Sequence, residues 1–160
     1  MHFKTADLYD DFAAELEIAS PGFRRFGQHE SFAGPIATVK VHEDNVLVKQ
    51  ALGEPGGDRV LVVDGGGSMR CALLGDLLAQ MAIDNQWAGI IVYGCIRDSH
   101  DIDAMPIGVR ALGTHPAKSV KRGEGVRDES VSFAGVTFEP GHFVYADHDG
   151  IVIAPRSLLN

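Results

Sequence analysis

Arg97 and Asp98 stand side by side at the end of an apolar run, Gly89-Ile90-Ile91-Val92-Tyr93-Gly94-Cys95-Ile96, and His100, Asp101 and Asp103 follow closely. A cation and several carboxylates at the end of a buried strand have two readings. They are solvated loop charges paired with one another, or they form a site for a metal and an acidic substrate. Asp98 and Asp101 are three apart, so one helical turn would put both carboxylates on one face. Carboxylates and water are what a hard Mg2+ or Mn2+ prefers, whereas a zinc site would be rich in His and Cys. The seven histidines form neither HxH nor HExxH. His100 is near the acidic group in sequence, and His148, between Asp147 and Asp149, reads as a turn residue. Glu43, Asp44 and Glu129 read as ordinary solvated charges.

A second stretch, Gly75-Asp76-Leu77-Leu78, also invites chemistry. Gly75 interrupts a helical pattern, where glycine costs about 1 kcal/mol relative to alanine. Either it is tolerated at a crowded helix contact, or the true helix begins here. In the second case Gly75 is the N-cap, Ser68 to Leu74 is a separate turn or helical piece, and the N–H groups of residues 76–78 are free. Free N–H groups at a helix start bind anions such as carboxylates. The nearby Asp64-Gly65-Gly66-Gly67-Ser68 lacks the Gly-Lys-Ser/Thr ending of a P-loop, and Arg70 breaks the GxGxxG pattern. Its glycines suit close backbone approach or positive φ values instead.

The elements that must position these residues follow from periodicity. Leu8, Phe12 and Leu16 recur every fourth residue and predict an amphipathic helix over 5–17, ended by Ser20-Pro21-Gly22. A strand is expected at 32–41 and a short helix from Asn45 to Leu52, closed by the turn-rich stretch 53–58. Residues 59–64, RVLVVD, have the continuous apolar core of a strand in a sheet covered on both faces. Leu74, Leu77, Leu78, Met81 and Ala82 lie on one stripe of a helical segment reaching Trp87, and the strand at 90–95 follows. This β-loop-α-β order places its loops at the carboxyl ends of the strands, where ligands of α/β proteins gather. Beyond residue 106, short β-like runs appear at 107–112, 130–138, 142–146 and 151–154. Asp149-Gly150 signals a hairpin between the last two. The prediction is an α/β fold with a β-rich second half.

With 160 residues, 45% of them hydrophobic, and 22% charged, the chain has the make-up of one globular domain over 1–160, able to bury roughly 70% of its unfolded surface. The net charge of −8 argues against nucleic-acid binding. The densest basic cluster, Lys118, Lys121 and Arg122, is followed at once by Glu124, Asp128 and Glu129. Asp7, Asp10, Asp11 and Glu15 break any signal-peptide core, and no stretch approaches roughly 18 consecutive apolar residues. Cys71 and Cys95 are too far apart for a CxxC motif and read as reduced thiols near the core, which points to the cytoplasm.

Three stretches, VLVVDGGGSMRCALLGDLLAQMA, GIIVYGCIRDSHDI and FAGVTFEPGHFVYADHDGIVIAP, resemble the RraA-like family. That family comprises 4-hydroxy-4-methyl-2-oxoglutarate aldolases, which also decarboxylate oxaloacetate, and the regulator of ribonuclease E activity. The shared motif is a glycine at a helix start, then Arg-Asp, and then another acid, here Gly75, Arg97, Asp98 and Asp101. The resemblance implies a β/β/α swivelling-type domain with a central sheet flanked by helices, assembled as a ring-shaped homotrimer with sites at subunit interfaces. Whether trimers pair is left open. It implies that Asp98 holds Mg2+ or Mn2+ and that Arg97, with the backbone of Gly75, Asp76, Leu77 and Leu78, holds the pyruvyl part of an oxo acid. Asp101 is expected to act through water at the cation. No Schiff base is needed, which suits the expected absence of a lysine near the proposed site, and methyltransferase chemistry finds no glycine fingerprint. Regulators of ribonuclease E can lack the metal-binding Asp and the Gly-Asp loop. Retention of both favours the lyase over a regulator that binds and inhibits the ribonuclease.

Overall fold

The computed structural model describes residues 2–159. Helix α1 (Thr5–Phe12) opens the chain and runs into a 3-10 turn (Ala13–Glu15). The short strands β1 (Glu17–Ile18) and β2 (Arg24–Phe26) precede the long β3 (Phe32–Lys40). Then come α2 (Val46–Leu52), β4 (Val60–Asp64), β5 (Ala72–Leu74), α3 (Asp76–Asp84) and β6 (Gly89–Ile96). The second half comprises α4 (Ser99–Asp103), β7 (Val109–Thr114), β8 (Val126–Arg127), β9 (Val131–Phe133), β10 (Val136–Phe138), β11 (Phe143–Ala146) and β12 (Ile151–Ala154).

One mixed sheet has the order β1-β12-β11-β3-β4-β6-β7-β2, with β5 beside the end of β6 and β8 beside β3. Its centre is parallel, β3-β4-β6-β7, and its flanks are antiparallel. Along β4 the side chains alternate between two apolar clusters. Leu61 and Val63 face the cluster that includes Val48, Leu52, Ala79, Ala82 and Ile102 of the helices. Val60 and Val62 face the one that includes Val131, Phe133, Val136 and Phe138 of the β9-β10 hairpin. Period-two alternation therefore explains why RVLVVD lacks a polar face: helices cover one side and strands the other. This is the expected mixed α/β architecture.

Several boundaries differ from the periodicity. The helix expected over 5–17 stops at Phe12, because the backbone of Glu17 and Ile18 pairs with Ile153 and Val152 and extends the sheet edge. The helical segment expected from about residue 68 begins only at Asp76. Residues 72–74, expected as a turn or helical piece, form a buried strand parallel to β6. The run at 130–138 is a hairpin whose turn residues, Ala134 and Gly135, both have positive φ. That combination suits the twist of tight two-residue turns. The β11-β12 hairpin turns where expected, and Asp147 Oδ1 accepts the Asp149 and Gly150 amides. Cys71 and Cys95 are buried free thiols. Among the described residues no helix is long and apolar enough to cross a membrane.

Candidate active site

The carboxyl ends of β5 and β6 set two short loops against each other. The Arg97 backbone N–H donates to the Leu74 carbonyl at 2.9 Å, which fixes the residue after β6 beside the residue before Gly75. Gly75 is the N-cap of α3, so of its two readings the helix start holds. Its backbone is extended (φ −128°, ψ −171°), and left-handed geometry is not the reason for a glycine. The reason is space: a Cβ here would lie 2.8 Å from Asp98 Oδ2 and 3.6 Å from two Arg97 side-chain atoms.

Asp98 is itself left-handed (φ 56°, ψ 36°) at the start of α4, where its side chain caps nothing. A non-glycine residue in this region is uncommon, and such strain concentrates at ligand sites. Instead of capping its own helix, Asp98 Oδ2 accepts the Asp76 amide at 3.0 Å, across the gap to α3. This changes one expectation: of the amides at 76–78, that of Asp76 is already committed to Asp98. The Asp76 carboxyl lies against Asp98 as well. A hydrogen bond between the two carboxyls, then burial, then the Asp98 charge push Asp76 above its usual range, and Asp101 adds a weaker push.

Arg97 is half-buried, and its Nη1 donates weakly to the Pro116 carbonyl at 3.4 Å. These residues open into a cleft of about 610 Å³ lined by Gly75, Asp76, Leu77, Leu78, Arg97 and Asp98. Asp101 and His100 are exposed on α4 outside this lining, and Asp103 Oδ1 accepts the Gly27 amide at 2.9 Å. The spacing of Asp98 and Asp101 therefore did not bring both onto one wall, because Asp98 leaves the helical conformation.

Sequence proximity missed part of the lining. Lys49 from α2 and Lys118 and Lys121 from the segment after β7 line the same cleft. The expectation of no lysine near the site is therefore wrong, since parallel crossovers bring segments distant in sequence to one sheet edge. Asp44, read as solvated, is buried. Burial alone would raise its carboxyl, but amides of Val46, Glu124, Arg122 and Gly123 together hold it below its usual value. It thereby ties α2 to the 122–124 segment. Glu43 also has fixed partners, Ser68 Oγ and Arg70 Nε, each at 2.6 Å.

The glycine loop after β4 is no phosphate cradle. Gly66 and Gly67 have positive φ, and the Gly65 and Gly67 amides both donate to the Tyr93 carbonyl at 3.1 Å. The N–H groups a phosphate would need are spent on the sheet.

Among the described residues no three His, Cys, Asp or Glu side chains converge as a ready metal cage. A cation that keeps most of its waters does not need one; Mg2+ is commonly bound through one or two carboxylates plus substrate oxygens. Asp98 fits that requirement. Its carboxylate is exposed to the cleft and crowded by a second carboxyl, an arrangement of like charges that a divalent cation relieves.

Comparisons with known proteins give the family and the fold. The chain is 58% identical over 159 residues to a protein of Laribacter hongkongensis named "Putative 4-hydroxy-4-methyl-2-oxoglutarate aldolase", covering 99% of this chain and 100% of that one. A protein of the same name from Aromatoleum aromaticum is 59% identical over the same length, covering 99% and 100%. Among solved structures, the RNA-processing inhibitor RraA from Thermus thermophilis superposes with a TM-score of 0.96 at 42% identity, covering 100% of this chain and 97% of that one. A Geobacillus kaustophilus structure, named as an S-adenosylmethionine: 2-dimethylmenaquinone methyltransferase, gives 0.94 at 56% identity, covering 98% and 97%. A family model described as Aldolase/RraA matches residues 5–153, and the chain belongs to the RraA-like family.

Proposed function

We propose that this protein is a divalent-metal-dependent carbon–carbon lyase that cleaves 4-hydroxy-4-methyl-2-oxoglutarate to pyruvate and decarboxylates oxaloacetate. Its relatives' aldolase names support the reaction class. The observation that carries the reading is the approach of Asp98 Oδ2 to the Gly75 N-cap, with Arg97 alongside. It supports reading Asp98 as a cation ligand that shares one cleft with a half-buried guanidinium and a helix start.

Both reactions break the bond between the α and β carbons of the keto group and leave the electron pair on the α carbon as a pyruvate enolate. Decarboxylation releases CO2, whereas retro-aldol cleavage releases a second pyruvate and also passes the C4 hydroxyl proton to a base or to water. When bound at Asp98, Mg2+ or Mn2+ supplies Lewis-acid stabilisation of negative charge on the oxo-acid oxygens. Arg97 directs a permanent positive charge at the same oxygens, and its attraction grows as the enolate forms. The backbone at Gly75 to Leu78 orients the substrate carboxylate, which turns a freely tumbling anion into a positioned reactant. Asp101 acts from outside the cleft through water.

The test is pyruvate release from oxaloacetate, measured against a protein-free control containing the same metal. Asp98→Ala and Arg97→Ala should each lower turnover about 10²–10³-fold. EDTA should abolish activity, with Mg2+ or Mn2+ restoring it. Borohydride with pyruvate should leave no adduct on Lys49, Lys118 or Lys121. Near-normal turnover in either variant would remove this mechanism.

We further propose a homotrimer with the clefts at subunit interfaces. Support comes from Leu77, which lines the cleft and is 81% exposed in the single chain. A second reading, a regulator that binds and inhibits ribonuclease E, is favoured by the likeness to the RraA structure. It requires a specific complex and inhibition of RNA cleavage that survive Asp98→Ala.

A further inference from the structure

The Arg97 side chain is placed by contacts at its stem and at its tip. A Cβ at Gly75 would lie 3.6 Å from Arg97 Cγ and Nε, so the stem passes close over the bare Gly75 backbone. At the tip, Nη1 donates to the Pro116 carbonyl at 3.4 Å, a long contact of the kind that tightens when a ligand is bound. Among the described residues the guanidinium enters no ion pair. Its other N–H groups remain for oxygens in the cleft, and their direction depends on where Pro116 sits.

Pro116 is placed in turn by His115. The His115 amide donates to the Ile96 carbonyl at 2.9 Å, a rung between the segment leaving β7 and the end of β6. Proline has no N–H to extend that ladder, and it holds the residue before it extended. The chain then turns, and His115 Nδ1 accepts the Ala117 amide at 3.1 Å. Nδ1 stands where Oδ1 of an asparagine would, so the ring closes the same kind of turn that Asn and Asp side chains close. An accepting Nδ1 carries no proton, which puts the ring proton on Nε2. Beyond the turn, the Ala117 carbonyl accepts the amide of Ala72 on β5 at 2.8 Å. The turn is thus pinned to β6 on one side and β5 on the other, with the Pro116 carbonyl between its anchors. His115 is half-buried and lies outside the cleft lining, so any effect it has on the reaction passes through its neighbours.

We propose that His115 is a positioning residue for Arg97. Through Nδ1 it holds the turn that presents the Pro116 carbonyl, and that carbonyl aims the guanidinium into the cleft. This rests on the oxo-acid reading above and adds a residue outside the cleft on which the Arg97 geometry depends.

His115→Phe keeps a ring and removes the acceptor, His115→Asn keeps the acceptor and removes the ring, and His115→Ala removes both. The attraction of Arg97 grows as the enolate forms, so a misaimed guanidinium should lower kcat and kcat/KM together. With oxaloacetate and Mg2+, His115→Phe and His115→Ala are expected to lower kcat about tenfold or more, with KM within about threefold of wild type. His115→Asn should keep kcat within about threefold of wild type. In an Arg97→Ala background, His115→Phe should cost less than about twofold more, because the residue it serves is gone. Hydrogen exchange at the Ala117 amide, read by NMR without substrate or metal, should accelerate in His115→Phe and His115→Ala and not in His115→Asn. Three results each overturn the positioning role and leave the oxo-acid reading standing. They are a wild-type kcat in His115→Phe and His115→Ala, an equal loss in His115→Asn, and an undiminished loss in the Arg97→Ala background. Unchanged exchange at Ala117 overturns the role as well. No pyruvate release by wild-type protein above the metal-only control overturns the oxo-acid reading, and the positioning role with it.

Discussion

Asp98 carries two unusual features, and each accounts for the other. Its left-handed backbone turns the carboxylate away from the start of α4, and the absent side chain of Gly75 leaves room for that carboxylate at the start of α3. Gly75→Ala tests the pair. Alanine adopts the extended Gly75 backbone without strain, so the thermal midpoint should move by less than about 4 °C. The added methyl meets Asp98 Oδ2 and must displace it, and a displacement of this order commonly costs about 10²-fold in rate. We expect kcat/KM for oxaloacetate to fall by that factor, with Mn2+ affinity, read by electron paramagnetic resonance, falling alongside it. Unchanged Mn2+ affinity would dissociate Gly75 from the proposed cation site. At this scale the adjacency of Arg97 and Asp98 was plain in the sequence. The αL backbone of Asp98 was not, since nothing local demands it.

At the scale of elements, buried carboxylates act as ties. Asp147, in the β11-β12 turn, accepts both the amide and the hydroxyl of Thr5 at 2.7 Å and so anchors the start of α1 to the sheet. Burial alone would raise its carboxyl, but the Thr5, Asp149 and Gly150 donors hold it below the usual range. An aspartate in the unfolded chain titrates near about 3.9. A depressed folded value means that this stabilisation is complete above that pH and is lost as pH falls through the folded value. Asp44, depressed by its own amide donors, contributes in the same direction. Asp147→Asn sets an amide against the Thr5 donors and should cost about 1–3 kcal/mol at pH 7 by urea denaturation. It should also flatten the loss of stability below about pH 4. An unaltered acid limb would show that the tie is dispensable. Periodicity identified β3, β4, β6 and α2 well, because apolar spacing decides them. It failed at β1 and β5, short segments whose strand character comes from the neighbour they pair with.

At the scale of the molecule, the sheet gathers the site from segments far apart in the chain and leaves apolar surface at its mouth. Leu77, and Val120 at 48% exposure, are uncovered in the single chain. The proposed trimer would bury such surface. Light scattering should find three chains per particle, and Leu77→Asp should shift the population to monomers, since an interface does not readily bury a lone carboxylate. A fully active wild-type monomer would show that the cleft is complete within one chain.

Composition and periodicity by themselves determined an α/β protein with a covered parallel core, a hairpin at Asp149-Gly150, and a glycine and an Arg-Asp pair at strand and helix ends. These are local properties: side-chain period, turn chemistry and neighbouring residue types. Tertiary structure alone decided that Gly75 makes room for Asp98, that Asp76 sits against the same carboxylate, that Asp101 stays outside the cleft, and that three lysines face it. Each of those depends on which strands lie side by side, and strand neighbours are fixed by packing across the whole sheet rather than by spacing along the chain.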